Sequence, residues 1–357
     1  MAVATALTLA IGAGWWAGEG PGAGPAAPAP AGRAAGFAAY GRAPADAGRL
    51  PEPDLRLPYA GADPRQFGDL YLPRPRDPAL PVPVVVLIYG GGWTQRSTLR
   101  GTAPMAADLV RAGVAVWNVE YRGTGRAAPE PADPAGPPAE PAGPGGWPRT
   151  HEDVAAAVDF LPRLAGRSPV ALDLSRVVVA GVSAGGNLTA WLASRPVLPA
   201  GAPGAGPGFR PAAFVPMAGV FDLALAHGRD DRFVRGLLGG TPGQRPERYR
   251  LASPARNVDP GMRITVLQGR NDDVVDVAEA EVYADRIGAV GGRVDLRILD
   301  DADHASWGRV DGPQWALARE VILGHARGRP AAGPARPAPG RYRGRRGRQA
   351  NPKGAGR

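Results

Sequence analysis

A serine set between two glycines, Gly181-Val182-Ser183-Ala184-Gly185, directly follows the apolar β-branched run Arg176 to Ala180 and directly precedes a segment that reads as a helix. This is G-x-S-x-G in the strand-turn-helix context that lets it carry a nucleophile. A turn this sharp needs small residues beside the serine, and it lifts the hydroxyl above the sheet edge. The helix that follows aims its first free N–H groups at the same place, where a negative oxygen would develop. An ordinary glycine-rich turn is the plainer reading of five residues; the flanking strand and helix favour the chemical one.

A serine hydroxyl needs an imidazole to take its proton and a carboxylate to orient that imidazole. The chain has four histidines. In chain order the acid and then the base usually follow such a serine, which disfavours His151 and His227. His325 closes the last helical stretch, where capping of the helix end is the simpler role. His304 remains, in the loop after the period-2 strand Val294 to Leu299. For the acid, Ile264 to Gly269 reads as a buried strand, with Asp272 and Asp273 just beyond its end. Both carboxylates could serve, and Asp272 is preferred.

A third strand, Pro83 to Ile88, runs into Tyr89-Gly90-Gly91-Gly92-Trp93. Successive glycines let backbone N–H groups turn toward a ligand, as an oxyanion hole requires. A phosphate cradle is the rival, but no Lys-Ser/Thr follows and the run is not G-x-G-x-x-G. The nearest such pattern, Gly12 to Ala17, is followed by a Pro/Gly/Ala-rich stretch where a helix should start.

With these blocks in view, the chain resembles the α/β-hydrolase superfamily, in the esterase, lipase and kynurenine-formamidase-like branch that is also similar to prolyl-oligopeptidase-type catalytic domains. The resemblance spans Phe67 to His325 through five blocks in order: Tyr89 to Trp93, Val119-Glu120-Tyr121-Arg122, Gly146-Trp147-Pro148 leading to Asp153, the serine turn, and the Asp272 and His304 loops. It implies an α/β fold, a mostly parallel central sheet with helices on both faces. It also implies Ser183 as nucleophile, Asp272 as acid, His304 as base, and the amides of Gly91, Gly92 and Ala184 as the oxyanion hole. The chain departs from the branch at two positions: Tyr89 stands where histidine usually precedes the glycines, and Val182 where histidine often precedes the serine.

The elements that must position these residues are visible as strand signals at Val84 to Ile88, Ala115 to Val119, Arg176 to Ala180, Ala213 to Met217, Ile264 to Gln268 and Val294 to Leu299. They alternate with helical segments, the mark of a parallel sheet covered on both faces. Thr150 and Asp153 have capping-box spacing ahead of the stripe Val154, Ala157, Val158 and Leu161. Arg122 reads as structural. Trp93, Trp147 and Trp307 are candidates to line an apolar substrate pocket, while Trp191 reads as core. Asp230 to Ala255 reads as a small lid insertion.

Glycine and proline, 52 and 41 of 357 residues, concentrate outside these elements. The expected organisation is a low-complexity extension over 1–57, a catalytic domain over 58–326 with a loop insertion at 127–146, and a basic tail over 327–357. That tail holds nine arginines, one lysine and no acid, which exceeds the whole net charge of +9 and leaves −1 for the rest. The tail could contact a polyanion weakly and salt-dependently, with no specific nucleic-acid reading. The absence of cysteine excludes disulfides and thiolate catalysis. Residues 1–17 are apolar but have no basic residue ahead of them, so a soluble cytoplasmic protein is expected, with secretion as the alternative if they act as a signal core. No transmembrane segment, metal or organic cofactor is expected. The functional expectation is a serine hydrolase acting on small carboxylic esters. The alternatives are an amide hydrolase, such as an arylformamidase or small peptidase, and a non-catalytic binding protein of the same fold.

Overall fold

The computed structural model describes residues 52–74, 80–125 and 144–328. The Gly12 to Ala17 pattern, nearly all of the expected extension, most of the 127–146 insertion and nearly all of the basic tail lie outside these residues. One sheet of eight strands organises the described chain: β1 (Leu55–Pro58), β2 (Phe67–Tyr71), β3 (Val82–Ile88), β4 (Ala115–Val119), β5 (Leu172–Val182), β6 (Ala213–Met217), β7 (Ile264–Gly269) and β8 (Val294–Leu299). Their spatial order is β1-β2-β4-β3-β5-β6-β7-β8. β1 pairs with β2, and β2 with β4, in antiparallel register; every later neighbour pair is parallel.

The parallel strands are apolar along nearly their whole length because both faces are covered. Alternate residues of β3 divide between two cores: Val84, Val86 and Ile88 enter one, Val85 and Leu87 the other. The first core is closed by α2 (Arg149–Asp159), α4 (Ala184–Ser194) and α8 (Ala278–Ala289), the second by α1 (Ala103–Arg111) and α9 (Pro313–Ala326). The remaining helices are α3 (Leu161–Ala165) and the short helices α5 (Leu223–Gly228), α6 (Arg232–Leu238) and α7 (Pro246–Ala252), the last two inside the segment read as a lid. None of the helices among the described residues is long and apolar enough to cross a membrane.

Several local expectations change. The sheet begins at Leu55, so β1 lies across the boundary expected after residue 57. At the end of the expected insertion, Gly145 N–H donates to Gly123 O at 3.0 Å and Gly146 N–H to Thr150 Oγ1 at 2.9 Å. The capping box at Thr150 does not form. Thr150 Oγ1 instead donates to Arg122 O at 2.6 Å, and Asp153 is taken by Arg122, at 2.8 Å from Nε and 2.6 Å from Nη2, and by Gln66 Nε2 at 2.7 Å. A guanidinium competes better for a buried carboxylate than a frayed helix N–H does. Arg122 is thus an anchor between β4 and α2. His325 does not cap its helix: Nε2 lies 2.9 Å from Thr265 Oγ1, and burial lowers its pKa to about 4.

Candidate active site

β5 ends at Val182, and the chain reverses at Ser183 with φ 57° and ψ −121°. A serine in that region costs on the order of 1–3 kcal/mol, so its surroundings must impose it. They do so through backbone contacts. Ser183 N–H donates to Met217 O at 2.9 Å, and Ser183 O accepts from Asn187 N–H at 3.0 Å. A methyl group on Gly181 would lie 2.4 Å from Gly185 O; one on Gly185 would lie 2.1 Å from Ile88 O; one on Gly186 would lie 2.7 Å from Met217 O. Only glycine lets α4 start this close to β5, β3 and the end of β6.

The loops after β7 and β8 bring two more groups to the serine. His304 Nε2 lies 3.0 Å from Ser183 Oγ, and His304 Nδ1 lies 2.8 Å from Asp272 Oδ2. All three side chains are buried. Asp272 is held on its other oxygen by the N–H groups of Val274 and Val275, at 3.0 and 2.8 Å, and Gln268 Nε2 donates to Oδ2 at 3.2 Å. Its neighbour Asp273 is exposed. With Nδ1–H donating to the carboxylate, Nε2 is left to accept from the hydroxyl. Such a relay can draw the serine proton onto the imidazole and hold the resulting cation.

The glycine loop lies against the start of α4, because Gly185 packs on the carbonyls of Ile88 and Tyr89. Gly91 and Gly92 take φ of 108° and 62°, and Trp93 follows at 56°. There is no room for larger residues: a methyl on Gly91 would meet Ser97 Oγ at 1.9 Å, and one on Gly92 would meet the ring of Phe233 at 2.6 Å. The loop is anchored from below by a polar cluster. Tyr89 stacks on Tyr121 with ring centroids 4.2 Å apart and donates its hydroxyl to Glu120 Oε1 at 2.6 Å. Arg65 Nη2 reaches the same oxygen at 2.6 Å, and Leu99 N–H donates to Oε2 at 3.0 Å. Burial, with Tyr121 and Glu120 nearby, pushes the Tyr89 pKa far up, so it stays a neutral donor.

The remaining candidates are distributed differently. Trp307 is fully buried in the second core, and Trp147 packs edge-on against His151 at 4.8 Å and Trp191 at 6.4 Å. Trp93 is buried as well. The three indoles expected to line a pocket are thus buried, as Ser183 and His304 are. His151 sits within the indole cluster, where burial lowers its pKa to about 3, and His227 stands beside Tyr249. Sequence reasoning missed Gln268, Arg65 and Phe233 and saw Glu120 only as part of a block, because their partners in the site are distant in the chain or invisible to spacing.

Residues 149–320 match the model of the prolyl oligopeptidase family, and residues 69–133 match the model named BD-FAE. No curated protein matches the chain. Among solved structures, a truncated carbohydrate esterase from gut microbiota superposes with a TM-score of 0.61 at 19% identity, over 76% of this chain and 95% of that one. A bifunctional GH43-CE protein of Bacteroides eggerthii gives 0.60 at 23% identity, over 76% of this chain and 38% of that one. A thermophilic esterase of the planctomycete Thermogutta terrifontis gives 0.59 at 20% identity, over 77% and 93%. The chain is thus similar to these proteins in fold, and its described residues adopt an α/β-hydrolase fold. In sequence the matched residues are similar to the prolyl oligopeptidase and BD-FAE families, each over less than half of the chain.

Proposed function

We propose that the protein is a serine esterase that hydrolyses small carboxylic esters through an acyl-enzyme. One observation carries this reading: a buried hydroxyl, imidazole and carboxylate in series, with Ser183 Oγ 3.0 Å from His304 Nε2 and His304 Nδ1 2.8 Å from Asp272. Ser183 attacks the carbonyl carbon while His304 takes its proton. The oxygen becomes negative and is received by the amides of Gly91, Gly92 and Ala184. His304 then protonates the departing alkoxide, and water repeats the sequence to release the acid. Asp272 holds the imidazolium in both halves. The names of the carbohydrate esterase and the thermophilic esterase that share the fold support an ester as substrate.

The match to the prolyl oligopeptidase family favours a second reading, hydrolysis of an amide by the same groups. Rates on an aryl ester, N-formylkynurenine and a dipeptide anilide separate the two. The first test is labelling of the full chain with a fluorophosphonate, with the modified residue found by mass spectrometry. Attachment at Ser183, with ester turnover reduced by several orders of magnitude in Ser183→Ala, is expected. Turnover retained in that variant would remove the assignment.

A further inference from the structure

Ser183 stands at the end of β5, between the glycine loop of β3 on one side and the Asp272 and His304 loops of β7 and β8 on the other. That order directs the substrate. Once the carbonyl oxygen is on the glycine loop, the alkoxy group must lie toward His304, which protonates it. The acyl group is then the substituent pointing away from the imidazole, toward the side of the sheet from which the glycine loop comes.

On that side an aromatic side chain packs against the glycine loop. The ring of Phe233 lies against Gly92 so closely that a methyl on Gly92 would be 2.6 Å from Cδ1, 2.9 Å from Cγ and 3.0 Å from Cε1. The ring is held there by a well-fastened helix. Asp231 caps α6 by accepting from Phe233 N–H at 2.8 Å and Val234 N–H at 3.4 Å. Gly239, left-handed at φ 73°, terminates it with an N–H bond to Arg235 O at 2.9 Å. Val234, Leu237 and Leu238 are fully buried in the first core, and Leu237 O accepts from Trp147 N–H at 2.8 Å. The half-buried Phe233 is thus the part of α6 turned toward the loop.

We propose that Phe233 is the specificity-determining residue that limits the length of the acyl group. The inference rests on the serine-esterase reading and deepens it: the substrate class becomes esters of short carboxylic acids, with a less restricted alcohol. An aromatic ring fixed against the oxyanion loop leaves room for a methyl or ethyl group and blocks a longer chain, whereas a smaller residue opens the path. Filling or emptying such a pocket by a few carbon atoms changes discrimination by about tenfold or more.

The test uses the full chain and p-nitrophenyl esters from acetyl to octanoyl, so that only the acyl group varies. Wild type is expected to lose kcat/KM steeply beyond propionyl. In Phe233→Ala the hexanoyl-to-acetyl ratio is expected to rise by roughly tenfold or more, whatever the change in acetyl turnover itself, and in Phe233→Trp to fall. Phe233→Leu supplies an intermediate point if the alanine variant melts early. Unchanged ratios in folded variants would overturn the inference, as would a change seen only when the alcohol is varied at constant acetyl. Failure of the underlying reading looks different: a wild type that cleaves none of these esters and takes no fluorophosphonate at Ser183 would remove both.

Discussion

The turn at Ser183 and the loop at Gly90 to Trp93 both hold backbone in the left-handed region, and they do so by different means. The turn is fixed by backbone against backbone. Gly181, Gly185 and Gly186 let β5, α4 and the end of β3 and β6 approach so closely that no Cβ fits. The loop is fixed by side chains. Tyr89, Glu120 and Arg65 form a buried polar cluster beneath it, and Phe233 closes it from above. The difference teaches where each part tolerates change: a close-packed backbone contact has no partial failure, because the interior does not relax around an added atom. A polar cluster can lose one member and keep the rest.

The largest effect should therefore come from Gly185→Ala. Its Cβ would meet two carbonyl oxygens, Ile88 O at 2.1 Å and Tyr89 O at 2.6 Å, and would push the serine turn away from the glycine loop. Ester turnover is expected to fall by about 10²-fold or more even where the protein still folds, because displacement of this order undoes the alignment of the reacting groups. Near-normal kcat in this variant would show that the turn is less rigid than its contacts demand.

Tyr89→Phe should do less. It removes the hydroxyl that donates to Glu120, leaving that carboxylate to Arg65 and the N–H groups of Leu99 and Tyr121, so a stability loss of about 1–3 kcal/mol is expected from thermal or urea unfolding. A modest drop in kcat with KM little changed would show that the cluster positions the loop. A large loss of turnover would mean that the loop resembles the turn after all.

The smallest effect sharpens the comparison with pH. The segment after β6, against which Gly186 of the turn packs, is tied to a buried acid: Glu279 Oε2 accepts from Phe221 and Asp222 N–H at 2.8 and 2.7 Å. Burial raises its pKa to about 8, with the two N–H bonds acting to lower it. Between its ordinary value near 4.5 and about 8, the unfolded chain has released this proton while the folded chain keeps it. Stability contributed here is thus complete below about 4.5 and declines as pH rises to about 8. Glu279→Gln is expected to flatten that decline in a series of melting temperatures, with turnover at neutral pH nearly unchanged. An unaltered slope would assign the pH dependence to other groups.

Much of the sheet was legible because six of its strands are apolar runs bounded by glycine or polar turns, and their observed limits differ from the expected ones mainly at β5, which begins at Leu172. β1 and β2 were not. Leu55-Arg-Leu-Pro58 and Phe67-Gly-Asp-Leu-Tyr71 are short and carry charged or flexible residues, and they become strands through pairing, as Leu70 opposite Trp117 illustrates. The capping reading of Asp153 failed for a related reason: its stronger partner, Arg122, is 31 residues away.

By itself the sequence determined which chemistry is on offer. A serine between glycines at a strand end, an aspartate and a histidine after later strands, and a glycine run after an earlier one are local facts, since strand ends and tight turns are written in neighbouring residues. Only the tertiary structure decided their distances, the choice of Asp272 facing His304 over exposed Asp273, the Tyr89–Glu120–Arg65 support and the placing of Phe233 on Gly92. Those depend on contacts between segments tens to more than a hundred residues apart, and such contacts are set by how the sheet and its helices pack.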